Sequence, residues 1–305
     1  MPSLETDTQI RLAAFAFLNE QKHLHGDILP IKVLREGFVF QGNRIPLVAP
    51  QGIFKPAVMD LPLTITTVPP TSRKNQPYND QIGEGGLLLY KYRGTDPNHR
   101  DNLGLKEVMR RKLPLVYFYG IVEGKYYPLY PVYIVADNST ALSFTVVSDD
   151  AAFLEVHEEV AEADIEARRK YVTVLVKQRL HQQGFRERVL TAYKRTCAIC
   201  SLRHDELLDA AHILPDNHPQ GEPVVPNGLS LCKIHHAAFD RNILGITPDC
   251  IIELRDDIRE EEDGPMLEYG IQAFHEKKLI VPRSAELKPD PERLEERYEI
   301  YRASA

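Results

Sequence analysis

The hydrophobic period changes early in the chain. Ile10, Ala13, Ala14, Phe17 and Leu18 recur at helical spacing, which predicts an amphipathic helix over 9–21. From Leu34 the apolar positions alternate. GFVFQGNRIPLV (37–48) alternates around a turn-forming QGN and predicts a hairpin. MDLPLTITTV, GGLLLYKYRG, LPLVYFYGIVEGKYYPLYPVYIVA and ALSFTVVS are short β-rich runs punctuated by Pro and Gly, and NLGLKEVMRRK between them has a helical pattern. The first half therefore reads as an α+β domain dominated by a curved or barrel-like sheet. A helical connector is expected over 151–182, with acids first and bases after. The helix FRERVLTAYKRT follows, with Phe185, Val189, Leu190 and Tyr193 on one face. Beyond it lie a strand in IIELRDDI, a helix near MLEYGIQAFHEKKL and a charged terminal helix, KPDPERLEERYEIYR. The division expected is 1–165 and 166–305.

The 305 residues suffice for two ordinary domains, and 43% hydrophobic with 27% charged residues is a globular balance. No run approaches the roughly 20 apolar residues of a membrane span. MPSLETDTQI has neither a basic n-region nor an apolar core, so no secretory signal is expected and a cytoplasmic location is. The net charge of -7 weighs against a nucleic-acid partner for the chain as a whole. Locally the sign reverses: 165–196 holds nine Lys/Arg against two acids, and 91–112 holds seven against three. Such runs are ordinarily solvated faces. Beside a metal-type motif they point to a phosphate backbone.

All four cysteines fall in one region: Cys197, Cys200, Cys232 and Cys250. Cys197 and Cys200 form a Cys-x2-Cys knuckle, and Cys232 and His235 a Cys-x2-His pair. Together they predict one tetrahedral Cys3His structural zinc site. That leaves Cys250 as a plain buried thiol. It also raises a question about LCKIHHAAFD (231–240). Neighbouring side chains on a helix diverge by about 100°, so His235 and His236 cannot share one site.

LLDAAHILP, with Asp209 and His212, stands between the two halves of the zinc pattern. PNGLSLC, with Asn227, follows, and then His236. AAHI, NGLxLCxxHHxxFD and the flanking Cys pairs, over about 185–244, resemble the HNH family of ββα-metal nucleases. The resemblance implies that His212 is the general base and that Asn227 orients it through its side-chain carbonyl. It implies that His236 holds one divalent cation, Mg or Mn. An imidazole titrates near neutral pH, which suits a base. The place just before the base, often an acidic metal ligand in the family, is Ala211. Asp209 lies one pleat away and either reaches the cation, directly or through water, or orients His236. Asp240, one helical turn past His236, is expected to be a supporting carboxylate.

YRGTDPNHRDN, PLVYFYGI and YPVYIV, spanning most of 34–147, resemble the sulfur-binding domains of modification-dependent restriction enzymes. The architecture implied is PUA/SRA-like, shared with β-domains that read methylated cytosine. A phosphorothioate presents a large, soft sulfur, which calls for an apolar cup with cations beside it. Tyr130 and Pro131 are the expected cup, with Arg93, His99 and Arg100 as donors. Lys55 in PQGIFKP is a further candidate contact. A methylcytosine reader needs an aromatic pocket for a flipped base, and the tyrosines at 117, 119, 126, 127, 130 and 133 are candidates for it. The function expected is a type IV-like restriction endonuclease acting on double-stranded, phosphorothioate-modified DNA, with a homodimer as the candidate assembly. The alternatives are the same nuclease directed to 5-methyl- or 5-hydroxymethylcytosine, and a zinc-bearing DNA-binding protein without catalysis.

Overall fold

The computed structural model describes residues 4–69, 88–149 and 165–304. The acidic half of the expected connector, 151–164, lies outside them. The chain divides into two units, 1–180 and 181–305.

In the first unit, α1 (Leu4–His25) buries Ile10, Ala14 and Leu18, as the spacing predicts. Arg11 is also buried, because Asp7 holds its Nε at 2.6 Å while the carbonyls of Pro62 and Pro114 accept from its terminal nitrogens. These bonds satisfy a charge that would otherwise be costly to bury. Then come β1 (Leu29–Pro30), α2 (Ile31–Glu36) and the expected hairpin, β2 (Phe38–Phe40) with β3 (Asn43–Ile45). The main sheet is built from β4 (Ile53–Phe54), β5 (Thr64–Thr66), β6 (Leu88–Lys91), β7 (Leu115–Val122), β8 (Lys125–Asn138) and β9 (Ser143–Ser148), with α3 (Arg100–Arg110) before β7. Its order is β4-β5-β7-β8-β9-β6, with β1 on β8. All pairs are antiparallel except β5 with β7. Among the described residues β4 and β6 do not pair, so the sheet stands open there rather than as a closed barrel.

β7 explains why this stretch is apolar at nearly every position. Leu115, Tyr117, Tyr119 and Ile121 enter one core, while Val116 and Phe118 enter the other, beneath α1. A strand covered on both faces loses the polar alternation of a half-exposed one.

α4 (Ile165–Ala192) is a single helix where the sequence pattern suggests a connector and then a separate helix. Gly184 lies inside it. An interior glycine costs about 1 kcal/mol relative to alanine, less than the burial of Phe185, Val189, Leu190 and Tyr193 recovers. The division between units falls within this helix.

The second unit centres on β10 (Leu208–His212), antiparallel to β11 (Gly228–Cys232), and on α5 (Lys233–Asp240), which begins where β11 ends. β12 (Leu244–Ile246) pairs with β13 (Ile252–Leu254). Three helices complete the unit: α6 (Asp256–Glu260), α7 (Pro265–Gly270) and α8 (Pro291–Ser304). The long helix expected near 266–279 is shorter. It stops at Gly270, a 3-10 turn follows over Gln272–Phe274, and the freed Gly270 carbonyl has a specific partner, described below. No helix among the described residues is long and apolar enough to cross a membrane.

Candidate active site

The Cys3His pattern closes in space. The ligand atoms of Cys197, Cys200, Cys232 and His235 all lie within 4.8 Å of one another. Cys200 Sγ is 3.9 Å from Cys232 Sγ, and Cys197 Sγ is 3.6 Å from His235 Nδ1. A tetrahedral zinc ion places two sulfurs about 3.8 Å apart and a sulfur and a nitrogen about 3.6 Å apart, so the donor set fits. The fourth ligand is prepared for the role. His235 Nε2 donates to the Gly270 carbonyl at 2.8 Å, which leaves Nδ1 unprotonated and aimed at the thiols. Phe274 packs edge-on against the same ring. Cys250 is partly buried outside this set, and burial raises its pKa. These four residues could therefore hold a structural zinc.

His236 turns the other way. His235 is buried, whereas the His236 side chain keeps 26% of its exposure. Its Nδ1 is 3.7 Å from Asp209 Oδ2, and its Nε2 is 3.4 Å from Asp240 Oδ2. Asp209 also accepts from Lys233 Nζ at 3.1 Å and lies 3.8 Å from Arg186 Nε. Arg186 is itself fixed by the carbonyls of Asp205 and Leu208.

His212 closes β10. Its ring stacks on Phe185, with centroids 4.0 Å apart and planes 15° apart. Burial lowers its pKa below the usual imidazole range, partly opposed by Asp216 and reinforced by His236. Nε2 is 2.9 Å from Asp216 Oδ1 but out of line for a hydrogen bond. The ring is thus held flat with its charged form disfavoured, as a proton acceptor requires, and Nε2 is buried without a hydrogen-bond partner.

Residues 197–247 match the family model of the HNH endonucleases. The second unit carries an HNH endonuclease domain. The chain is accordingly a nuclease. No curated protein matches it. Among solved structures, a modification-dependent TagI restriction endonuclease aligns over 80% of this chain and 81% of that one, at 17% identity and a TM-score of 0.28.

Within the HNH domain, Asn227 departs from expectation. Its side chain does not bond to His212. Oδ1 accepts from Leu214 N at 2.9 Å, and Nδ2 donates to the carbonyls of Leu214 and Glu222. Fully buried, Asn227 clamps the loop that leaves β10 and so fixes His212 only through the backbone. Sequence reasoning also missed Phe185 as a partner of the base. A signal was available in Gly228, which pairs with His212 across the strands. A Cβ there would stand 2.4 Å from Val189 Cγ2 and 2.8 Å from Phe185 Cζ. Only glycine lets α4 press this close.

In the first unit, the expected donors come together. Arg93 pairs with Asp101, Arg100 Nε is 3.4 Å from the same carboxylate, and His99 caps α3 by accepting from Asp101 N. Buried Asn102 holds their loop: Oδ1 accepts from Arg93 N, and Nδ2 donates to the carbonyls of Arg93 and Asp96. The expected cup is corrected. Tyr130 is buried, stacked on Phe15 and bonded through its hydroxyl to Asn19, because it faces the core under α1. Pro131 is half-buried beside it. Both lie mid-strand in β8, away from Asp137, whose carboxylate joins Tyr92 and Lys106 near the loop. Asp137 is seven positions beyond Tyr130 along the strand, roughly 20 Å. Lys55 is engaged with the Met59 carbonyl at 2.7 Å.

Proposed function

We propose that the chain is a modification-dependent DNA endonuclease. The first unit reads the DNA and the HNH domain cuts it. The observation that carries the catalytic half is the pairing of a neutral, Phe185-stacked His212 with His236 on the adjoining helix. His212 takes the proton from the attacking water. Asn227 keeps the strand end that presents it. His236 would hold a Mg or Mn ion, which when bound would supply positive charge against the scissile phosphate and the leaving oxygen. Cys197, Cys200, Cys232 and His235 hold a zinc ion that staples the domain. This reading disfavours a DNA-binding protein without catalysis.

The mark is read as a phosphorothioate. Arg93, His99 and Arg100 converge on one braced loop, which suits an anion with a nearby base edge. Five of the six tyrosines offered for a base-flipping pocket are buried in the sheet cores, so ring stacking on an extruded base has less support. Double-strand cutting by one HNH site per chain calls for two copies on the duplex.

The test is binding and cleavage of three otherwise identical duplexes carrying a phosphorothioate, a 5-methylcytosine, or neither. Preference for the first is expected. Preference for methylcytosine moves the mark to the base, and equal behaviour on all three removes modification dependence.

A further inference from the structure

The HNH domain lacks a carboxylate directly before its base, where Ala211 stands, so another acid must complete the cation's protein ligands. Two carboxylates flank the His236 ring, one at each nitrogen. They are not equivalent.

Asp209 faces Nδ1 and is already neutralised. Lys233 Nζ bonds it at 3.1 Å, and the fixed Arg186 lies 3.8 Å away. It is also three residues from His212 along β10, and such residues point to opposite sides of a strand. Asp240 differs on each count. It lies one turn beyond His236 on the same face of α5, with Oδ2 3.4 Å from Nε2. No Lys or Arg lies within 4.0 Å of it among the described residues, where only Arg297 acts on it from farther off, and its side chain is 60% exposed. Adjacent donors of an octahedral Mg-type ion are about 3 Å apart, close to that separation.

We infer that Asp240 and His236 Nε2 together form the cation-holding face of the site, and that Asp209 is a positioning residue that fixes the His236 ring through Nδ1. The assignment rests on the HNH reading above; it gives Asp209 the orienting role, one of the two that the sequence pattern leaves open, and moves the cation contact to Asp240. Arg186 and Lys233 then have a definite purpose: they hold the Asp209 carboxylate in place beside Nδ1.

The test is Mn2+ binding to the full-length chain, with free ion followed by electron paramagnetic resonance and zinc content measured alongside. Asp240→Asn is expected to weaken Mn2+ binding by about tenfold or more, with zinc content and melting temperature unchanged. Asp209→Asn keeps an oxygen on the Nδ1 side of the ring, and is expected to stay within about threefold of wild type. The reverse ranking, or equal losses at both, overturns the assignment. His236→Ala separates the two levels of inference. If it abolishes binding while Asp240→Asn does not, only Asp240 is misassigned. If it leaves binding intact, the proposed role of His236 falls as well.

Discussion

His235 and His236 are neighbours in the chain, yet their imidazoles serve different chemistry. His235 Nδ1 is 3.1 Å from Cys232 Sγ inside the thiol cluster, whereas His236 Nδ1 is 3.7 Å from Asp209 Oδ2 at the surface of β10. One residue step on a helix is about 100°, enough to send two adjacent rings to opposite sides of the first turn. The short helix α5 thereby joins the metal staple of the domain to its reactive face.

The two positions should fail differently. His235→Ala removes a ligand from a site whose metal contributes on the order of 10 kcal/mol to folding, so the second unit should lose both zinc and its cooperative melt. His236→Ala should keep both and lose cleavage. Zinc analysis, thermal melting and a plasmid-nicking assay on the same preparations check this. A folded, zinc-loaded His235→Ala protein would refute the staple.

Gly228→Ala probes the support beneath the base. The added methyl would meet Val189 and Phe185, and overpacking of this kind typically costs about 1–3 kcal/mol. Cleavage should fall further than stability alone predicts, because Phe185 can no longer lie flat under His212. Comparison with Phe185→Leu, which removes the stacking without adding volume, isolates that effect. Wild-type cleavage in both variants would show that the stack has no catalytic importance.

Asn227→Ala leaves the Leu214 N–H and two carbonyls without their partner, at about 1–3 kcal/mol for each group left buried and unpaired. The expected signature is a drop in melting temperature together with lost activity. Were Asn227 instead a direct partner of the imidazole, the main change would be in the pH profile, with stability little altered.

That profile has a predicted shape. Burial disfavours the charged form of His212, so its pKa lies below the ordinary imidazole value near 6.5. A base must be neutral, so cleavage should stay level through neutrality and decline only as the pH falls below about 6.5. The same shift affects folding. In that acidic window the unfolded chain binds the proton first, so stability declines as pH drops from the unfolded value toward the folded one. Removing the ring with His212→Gln should flatten the stability curve there and abolish cleavage, the latter by roughly 10²–10⁴-fold.

In the first unit, Arg100 is the most exposed of the three expected donors, at 85%. Arg100→Ala should weaken DNA binding and reduce the slope of log affinity against log salt by about one. Asn102→Ala should lose selectivity for the mark as well, since the whole loop between Arg93 and Asp96 depends on its amide. Unchanged binding in both would move the reading surface elsewhere on the unit.

Cys and His spacing alone picked out the four residues that could hold zinc, because metal coordination demands few residue types at fixed intervals. The 2- and 3.6-residue periods likewise determined α1 and the hairpin over 38–45, whose patterns follow from one buried face, while the β10, β11 and α5 frame was legible through the resemblance of its motifs to the ββα-metal nucleases. The sequence could not decide which polar groups face one another across elements. Asn227 looks like a partner for His212 by order along the chain, but the loop it clamps is what needs its hydrogen bonds. Tyr130 and Pro131 look like a ligand cup, but the sheet has cores on both faces and α1 covers that end. Asp209 and Asp240 are indistinguishable as letters; only strand alternation, helix phase and the positions of Arg186 and Lys233 set them apart. The stack of Phe185 on His212 depends on helix α4 reaching β11 at Gly228, a long-range packing event that local pattern does not encode.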